Sequence, residues 1–324
     1  MPNSVPVSER LQAVVDVVIR AAEMHGSIVS LDDLALLIPT ETTPEEVEAA
    51  LKRVPAARRT VNDDWPPSVS DGWGQLTGDW NERTNSNLQT AKWLSSKVRG
   101  SEVLSMAVSG STSYRQPMSR DDVDVFCVTQ PGKLWFFVTK ALIIARVSKV
   151  LHRSSPPICL SCIMDLDFAE VSFSRDNGAL FARDALVAKV VRGGGNYTAL
   201  LRSANWMKQY FPKLYSYRTE NGEGESHAPS GRSAWTFAAN RFLFHTIGFY
   251  VRAKARFHNH ILSKSGKAMS SFRAKAGVDH LIYESTKYQK LREVYSEIRP
   301  LPEDSEDKRL PLLIEQISKQ TEPR

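Results

Sequence analysis

Two apolar runs flank a Gly-Ser turn and a pair of aspartates in residues 103–129, VLSMAVSGSTSYRQPMSRDDVDVFCVT. The runs Val103–Val108 and Val123–Thr129 have the length and the β-branched content of buried strands. Gly110-Ser111 follows the first run, and Asp122 and Asp124 stand at the start of the second. The sequence therefore predicts two neighbouring strands that are joined by a polar loop.

The turn after the first strand has the composition of a phosphate site. A strand that ends in Gly-Ser and enters a helix presents backbone N–H groups and a hydroxyl at the helix N-terminus. Glycine lets a phosphate approach the backbone, because a Cβ would hold it away. We predict that Gly110 and Ser111 bind nucleotide phosphates. Ser113 and Arg120 are further nucleotide-binding candidates, with an ordinary exposed basic loop as the alternative.

The aspartate pair has the composition of a metal site. Asp122 and Asp124 are two residues apart, so on a strand they project from the same face. Two adjacent carboxylates repel each other unless a cation lies between them. Oxygen ligands suit Mg²⁺, with Mn²⁺ as the alternative, and Mg²⁺ commonly keeps substrate phosphates among its ligands. Such ions stabilise the attacking and leaving oxygens of a phosphoryl displacement, so the pair is predicted to be catalytic.

Together, the Gly-Ser turn, a spacer of ten residues and Asp-Val-Asp resemble the signature of the minimal nucleotidyltransferases, a branch of the DNA polymerase β superfamily. Residues 128–135, VTQPGKLW, are similar to a stretch that follows the second strand in a prokaryotic group of these proteins. Leu180–Asp184 and Ala204–Trp206 are similar to the same group, and the resemblance covers residues 10–215. It implies an α+β fold with a mixed sheet and flanking helices. It also implies NMP transfer from an NTP with Mg²⁺.

The resemblance also implies a third carboxylate on a later strand, facing the aspartate pair. Asp165, at the end of a predicted strand Ile158–Met164, is the first candidate for this catalytic and metal-binding position. Asp167 is the second candidate and Glu170 the third. The alternative for Asp165 and Asp167 is a polar turn between strands. Without a third carboxylate, a second metal ion would be held poorly.

Residues 1–80 predict an N-terminal winged-helix-like module. Apolar periodicity indicates a helix over residues 8–25 and a short one over residues 31–37. Thr43-Pro44 begins a third helix that extends to Val54, with a capping residue and acids in the first turn. The strands of the wing are predicted at Arg58–Val61 and Trp73–Leu76. A small helical extension is the alternative, and the acidic start of the third helix is a poor surface for the DNA major groove.

The nucleotidyltransferase core is predicted at residues 81–192 and a helical C-terminal region at residues 193–324. The remaining core elements are predicted as helices at 85–97, 133–152 and 177–191, and a fourth strand at Phe168–Phe173. The C-terminal helices are predicted at 196–211, 234–264, 279–297 and 308–318, with a flexible linker at Asn221–Ser233.

Basic and aromatic residues alternate between residues 226 and 278, where there is no Asp or Glu. Such interleaving can bind single-stranded nucleic acid through stacking and phosphate contacts. Most of these aromatic residues fall at helical spacing, so we expect them to be buried. The basic cluster 252–275 is therefore the better candidate for nucleic-acid contact, with a solvated basic face as the alternative. The net charge of +6 permits such a partner without requiring one.

Composition indicates a cytoplasmic globular protein. The three cysteines, Cys127, Cys159 and Cys162, are too few for a disulfide framework, which favours a reducing compartment. Cys159 and Cys162 lie in an apolar, strand-like context that favours core packing over metal binding. There is no basic-then-apolar leader, and no stretch of about twenty clean apolar residues that would predict a membrane span.

The leading prediction is a Mg²⁺-dependent nucleotidyltransferase that transfers NMP from an NTP to a hydroxyl acceptor and releases pyrophosphate. The acceptor could be RNA, a protein or a small molecule. The alternative is a catalytically degenerate nucleotidyltransferase-fold regulator or nucleic-acid-binding protein.

Overall fold

A six-stranded mixed sheet organises the chain as an α+β protein in the computed structural model. The structure describes residues 8–25, 34, 37, 38, 43–54, 72–98, 100, 102–114, 117, 121–151, 156–222, 224, 233–264 and 271–301. The strands are β1 (Val103–Val108), β2 (Val123–Thr129), β3 (Ile158–Asp165), β4 (Lys189–Arg192), β5 (Phe272–Ala276) and β6 (His280–Ser285).

Helices cover both faces of this sheet. They are α1 (Glu9–His25), α2 (Pro44–Arg53), α3 (Gly72–Lys97), α4 (Gly110–Ser113), α5 (Leu134–Leu151), α6 (Leu166–Ser174), α7 (Gly178–Val187), α8 (Gly194–Ser203), α9 (Pro212–Glu220), α10 (Ala234–Leu243), α11 (Phe249–Lys264) and α12 (Thr286–Tyr295). A 3₁₀ turn covers Asn205–Gln209, and a π-helical segment, Phe244–Gly248, joins α10 to α11 without a break.

The strand order is β4-β1-β2-β3-β6-β5. Only β2 and β3 run parallel among these neighbours, and α5 is the crossover between them, as a parallel pair requires. The starts of β2 and β3 therefore lie side by side, with Asp124 opposite Cys159. Their ends also lie together, with Thr129 opposite Asp165. This register decides which side chains can meet in the site.

Strand β2 separates two apolar cores. Val123, Val125 and Cys127 pack on one face of the sheet, in a cluster that includes α5 residues. Phe126 and Val128 pack on the other face, in a cluster built from α1, α2, α6–α9 and α12. Because side chains alternate along a strand, Asp124 shares the face of Phe126. The acidic pair therefore points into the layer that contains α6–α8 and α12.

Most of the strongly patterned elements are confirmed. Strands β1 and β2 have the predicted bounds, and α1 and α5 begin and end within a residue or so of the predictions. Helix α2 begins with a complete capping box between Thr43 and Glu46. The predicted helix over residues 234–264 is also present, with the π-helical segment in its middle.

The predicted fourth strand at Phe168–Phe173 is wrong, because this segment is helix α6. The Asp165 carboxylate caps the helix by accepting a hydrogen bond from the Phe168 N–H at 3.1 Å. Ala169 and Phe173 then bury one face at helical spacing. A short apolar run does not distinguish a strand from a buried helix, and here the cap decides in favour of the helix.

The predicted wing strand Trp73–Leu76 and the predicted helix start at residue 85 are also wrong. The segment Trp73–Leu76 belongs to α3 and cannot be a wing strand, since α3 extends upstream of the predicted start at residue 85. Extending an existing helix avoids the cost of a new nucleus. The partner wing strand Arg58–Val61 lies outside the described residues, as do residues 308–318 and most of the predicted helix 31–37 and the linker 221–233.

The C-terminal region is not purely helical. The predicted helix 279–297 is instead strand β6 followed by α12, and β5–β6 is a hairpin that completes the sheet beside β3. Similarly, the predicted helix 177–191 ends at Val187, and β4 pairs with β1. In both places, hydrogen bonds to a distant strand override a local pattern. The sheet therefore crosses the predicted domain boundary at residue 193.

No helix in the described parts of the chain is both long enough and apolar enough to cross a membrane.

Candidate metal and phosphate site

Gly110 lies directly against the carboxylate of Asp124. Its φ of +64° lies in the left-handed region, and a Cβ at this position would stand 2.3 Å from Asp124 Oδ2. The neighbouring backbone is tied as well, since the Ser109 N–H donates to the Asp124 carbonyl at 2.9 Å. Glycine is therefore required here by the packing of Asp124 and by the backbone conformation, in addition to any phosphate.

Asp122, Asp124 and Cys159 form a cluster at the start of the parallel strand pair. One carboxylate oxygen from each aspartate and the Cys159 sulfur all lie within 4.8 Å of one another. Asp122 immediately precedes β2, Asp124 is the second residue of β2, and Cys159 is its neighbour on β3. The aspartates were predicted to meet, whereas Cys159 was expected to be a core residue.

The electrostatics of the cluster are unfavourable in the absence of a cation. Burial raises the pKa of Asp124 to about 7, and the charge of Asp122 adds to the shift. Burial also raises the pKa of Asp122. The Cys159 thiol shares its single S–H hydrogen between the two carboxylates, and burial followed by their negative charges raises its pKa well above the ordinary value. The thiol is therefore neutral, and it compensates only part of the carboxylate charge.

Asp165, the first candidate for the third catalytic and metal-binding carboxylate, does not lie in this cluster, so the structure does not bring it to the aspartate pair. It lies at the far end of β3, six residues beyond Cys159 in the register and thus about 20 Å away. Its carboxylate accepts hydrogen bonds from the N–H groups of Phe168 at 3.1 Å and Gly132 at 3.5 Å. Burial raises its pKa to about 6, while these two hydrogen bonds oppose the shift.

The second and third candidates for the third carboxylate also lie beyond the C-terminal end of β3. Asp167 and Glu170 belong to α6, which begins where β3 ends. In a parallel pair, residues that follow the C-terminal end of one strand lie far from the start of the neighbouring strand. In the described chain, the place beside Asp124 on β3 is held by a thiol.

The predicted phosphate-binding residues are only partly available. Ser111 lines the cleft above the cluster together with Gly110. Ser113 is buried, and its hydroxyl donates to the Gly110 carbonyl at 2.7 Å, which closes the α4 turn. The hydroxyl of Ser113, which the sequence predicts to bind nucleotide, is therefore occupied within the turn. Arg120 lies outside the described residues.

A buried arginine holds the segment after α4 in place. The Arg183 guanidinium lies between two rings, 4.5 Å from the centre of Tyr114 and 4.4 Å from that of Tyr295. It pairs with Asp184 at 2.8 Å, and the Tyr114 hydroxyl donates to the same carboxylate at 2.7 Å. Cation–π contacts of this kind are strongest when they are desolvated. The Leu180–Asp184 motif thus positions the Gly-Ser turn.

The cluster opens into a cleft of about 1160 Å³, which is large enough for a nucleoside triphosphate. Among the described residues that line it, Lys254 and Lys287 carry cationic groups with no ion pair or hydrogen bond. Lys287 is half-buried at the start of α12, and burial lowers its pKa while Asp121 opposes the shift. Its amine is an available counter-charge for phosphate.

Sequence reasoning missed Lys287 because it missed β6. A lysine that opens a helix directly after a strand is a recognisable feature, but the strand had been predicted as helix. Cys159 was missed for a similar reason, since its role depends on the parallel register of β3 against β2.

Comparisons with protein-family models, with curated proteins and with solved structures found no match to this chain.

Proposed function

We propose that this chain is a metal-dependent nucleotidyltransferase of the polymerase β type. The observation that carries the proposal is the meeting of Asp122 and Asp124 with the Gly110-Ser111 turn at the floor of one cleft. Paired carboxylates beside exposed backbone N–H groups are the elements that phosphoryl transfer requires. The mixed sheet, with β1 antiparallel and β3 parallel to β2, is compatible with this fold type.

The residues of the cluster fit a divalent cation. Asp122 and Asp124 are desolvated and repel each other, and both have raised pKa values. Oxygen ligands and negative charge would select Mg²⁺ or Mn²⁺. A bound cation would neutralise the carboxylates and polarise the phosphate oxygens of an NTP. The neutral Cys159 thiol orients the two carboxylates through its hydrogen bonds.

The other cleft residues position the nucleotide. Ser111 would donate its hydroxyl to a phosphate oxygen, and the Lys287 amine would balance triphosphate charge. An acceptor hydroxyl would then form a bond to the α-phosphorus, and the bond to the β-phosphate oxygen would break to release pyrophosphate. The acceptor classes remain RNA, a protein side chain or a small molecule. Nucleic-acid contact through residues 252–275 and a cytoplasmic location also remain predictions.

A second candidate function is a non-catalytic nucleotide-binding regulator. The observation that favours it is Cys159, because a neutral thiol occupies the place beside Asp124 where a third carboxylate would hold a second metal ion. With two carboxylates, the described site has the ligands for one cation. Such a site could bind an NTP tightly and transfer its nucleotide slowly or not at all.

The decisive experiment is an NTP-binding and label-transfer screen. The full chain is incubated with each α-³²P-labelled NTP, Mg²⁺ or Mn²⁺, and either RNA or its own side chains as acceptors. We expect metal-dependent transfer that is lost in the Asp122→Ala plus Asp124→Ala variant. We also expect Lys287→Ala to weaken NTP binding about tenfold, the effect of losing one charged hydrogen bond. Lys290→Ala, an exposed lysine on the same helix, is the matched control.

The outcomes separate the two candidates. Binding that depends on the aspartates and on Lys287, without transfer to any acceptor, favours the regulator. If no NTP binds in the presence of either metal, both functions are wrong.

A further inference from the structure

The outer face of the long helix formed by α10, the π-helical segment and α11 carries an exposed row of aromatic rings. Trp235, Phe242, Phe249 and Phe257 are 79%, 67%, 69% and 66% exposed, although they were predicted to be buried. They recur every seven or eight residues, which is about two helical turns. The opposite face of the same helix is buried, as at Val251. No described part of the chain covers the row, which is therefore an exposed apolar stripe.

Small residues separate the aromatic rings. Ala238, Thr246 and Ala253 lie between successive aromatic residues, and all three are exposed. The intervals of three and four residues keep large and small residues on one line of the helix. We call this line, Trp235 to Phe257, the aromatic seam. Its alternation of large and small side chains suits interdigitation with another helix.

The seam is complementary to itself when it is reversed. If two copies of the helix run antiparallel, with a two-fold axis between residues 247 and 248, Phe242 faces Ala253 of the partner subunit. In the same register, Phe257 faces Ala238 of the partner subunit and Phe249 faces Thr246 of the partner subunit. Every phenylalanine of the seam then meets a small residue. A surface that matches itself about a two-fold axis is what an isologous dimer requires.

We propose that two copies of this chain associate through the aromatic seam in this antiparallel register. The proposal is independent of the nucleotidyltransferase function.

The exposed area is sufficient for a stable dimer. A fully exposed aromatic side chain offers about 150–250 Å², so the four rings supply most of the area that is needed. Helix α5 lies beside α11, where Arg146 donates a hydrogen bond to the Tyr250 hydroxyl at 3.4 Å. Ile143 and Val147 on α5 and Tyr250 on α11 are 59%, 50% and 42% exposed and add apolar area next to the seam. Together these side chains approach the roughly 800 Å² per partner of a standard interface. Patches of this size mark interaction surfaces.

The cationic charge of these helices lets salt dependence distinguish a second copy of this chain from an anionic partner. Helices α5, α10 and α11 contain no Asp or Glu, so their cations would lie near those of a second copy. Self-association should therefore strengthen with salt, because salt screens the repulsion. Binding to single-stranded RNA or to anionic vesicles should instead weaken with salt. Aliphatic residues in the patch and the match in side-chain size favour the second copy over a polyanion.

The test exchanges a large and a small side chain that face each other across the two-fold axis. Sedimentation equilibrium on the full chain is expected to show a dimer. Ala253→Phe sets two large rings against each other, and Phe242→Ala removes one, so each change should weaken dimerisation about 100-fold. The double variant restores large against small at both symmetric contacts, and its dissociation constant should return to within about threefold of the native value. All the changed side chains are exposed, so each monomer should fold, which circular dichroism checks.

Val171→Glu is the control variant, since Val171 is a 48% exposed aliphatic residue on α6, at the other face of the sheet. It should leave dimerisation unchanged. A chain that is monomeric at all concentrations and salt conditions would overturn the proposal, as would a dimer that is insensitive to Ala253→Phe. A double variant that does not recover would refute the antiparallel register. So would a monomer that captures RNA or anionic vesicles through the seam in a salt-sensitive way.

Discussion

Asp124 and Asp165 lie at opposite ends of the same parallel strand pair, and both have a raised pKa because of burial. Their partners differ. Asp165 accepts hydrogen bonds from two backbone N–H groups, whereas Asp124 faces a second carboxylate and a neutral thiol. A carboxylate with N–H donors is stabilised as an anion without any ligand. A carboxylate that faces another carboxylate is stabilised by a proton or a cation.

This difference separates an acid that caps a helix from an acid that is a candidate metal ligand. The two aspartates are equally recognisable in the sequence, Asp124 near the start of one apolar run and Asp165 at the end of another. The Asp165 side chain caps the first turn of α6 and accepts a second hydrogen bond from the Gly132 N–H. The Asp124 side chain leaves a charge imbalance at the floor of a cleft, which a bound cation would relieve.

The largest expected effect concerns the pH dependence of stability. The pKa of Asp124 is raised to about 7 in the folded chain, so its contribution to stability is present below pH 4 and is lost as the pH rises through 7. In metal-free buffer at pH 8, Asp124→Asn should therefore stabilise the chain by about 2–4 kcal/mol. Urea unfolding at pH 5 and pH 8, with EDTA and then with Mg²⁺, measures this.

The same series contains its own checks. The gain from Asp124→Asn should shrink at pH 5, and Mg²⁺ should stabilise only the native chain at pH 8. Glu170→Gln, which changes an exposed acid on α6, should show no such pattern. Equal stability of the native chain and Asp124→Asn at pH 8 would remove the electrostatic distinction between the two aspartates.

A smaller effect is expected at the other end of β3. Asp165→Ala removes the cap of α6 and the acceptor for the Gly132 N–H, so it should destabilise the fold by about 1–2 kcal/mol. NTP binding by the folded variant should be unchanged. Glu170→Ala on the same helix is the matched control and should cost less than about 0.5 kcal/mol. Loss of NTP binding without loss of stability would show that Asp165 acts in the site after all.

The smallest expected effect is a gain in Mg²⁺ affinity. Cys159→Asp places a carboxylate where the thiol lies, so a third oxygen ligand joins Asp122 and Asp124. Because ligand charge increases cation affinity, Mg²⁺ should bind about tenfold more tightly. Isothermal titration calorimetry measures the affinity, and Cys159→Ala, which adds no ligand, is the control. An unchanged affinity would mean that residue 159 does not face the cation site.

Part of the site was already predictable from the arrangement of the predicted elements. A strand, a long helix and a second strand predict a parallel pair, because such crossovers join parallel strands. In a parallel pair the residue beside Asp124 comes from the start of β3, where Cys159 lies, and Asp165 must fall at the far end. The prediction of Asp165 as the third carboxylate rests on the family resemblance and not on this geometry. The strand order and the bulge in the register still required the folded chain.

Local chemistry was sufficient for β1, β2 and α2, because each of these depends on residues within a few positions of one another. Tertiary structure alone set the exact register of β3 against β2, brought Lys287 into the cleft and left the aromatic seam exposed. Helical spacing shows which side chains share a face, but it does not show whether another element covers that face. That depends on contacts between segments that are far apart in the chain, and these form only when the sheet is assembled.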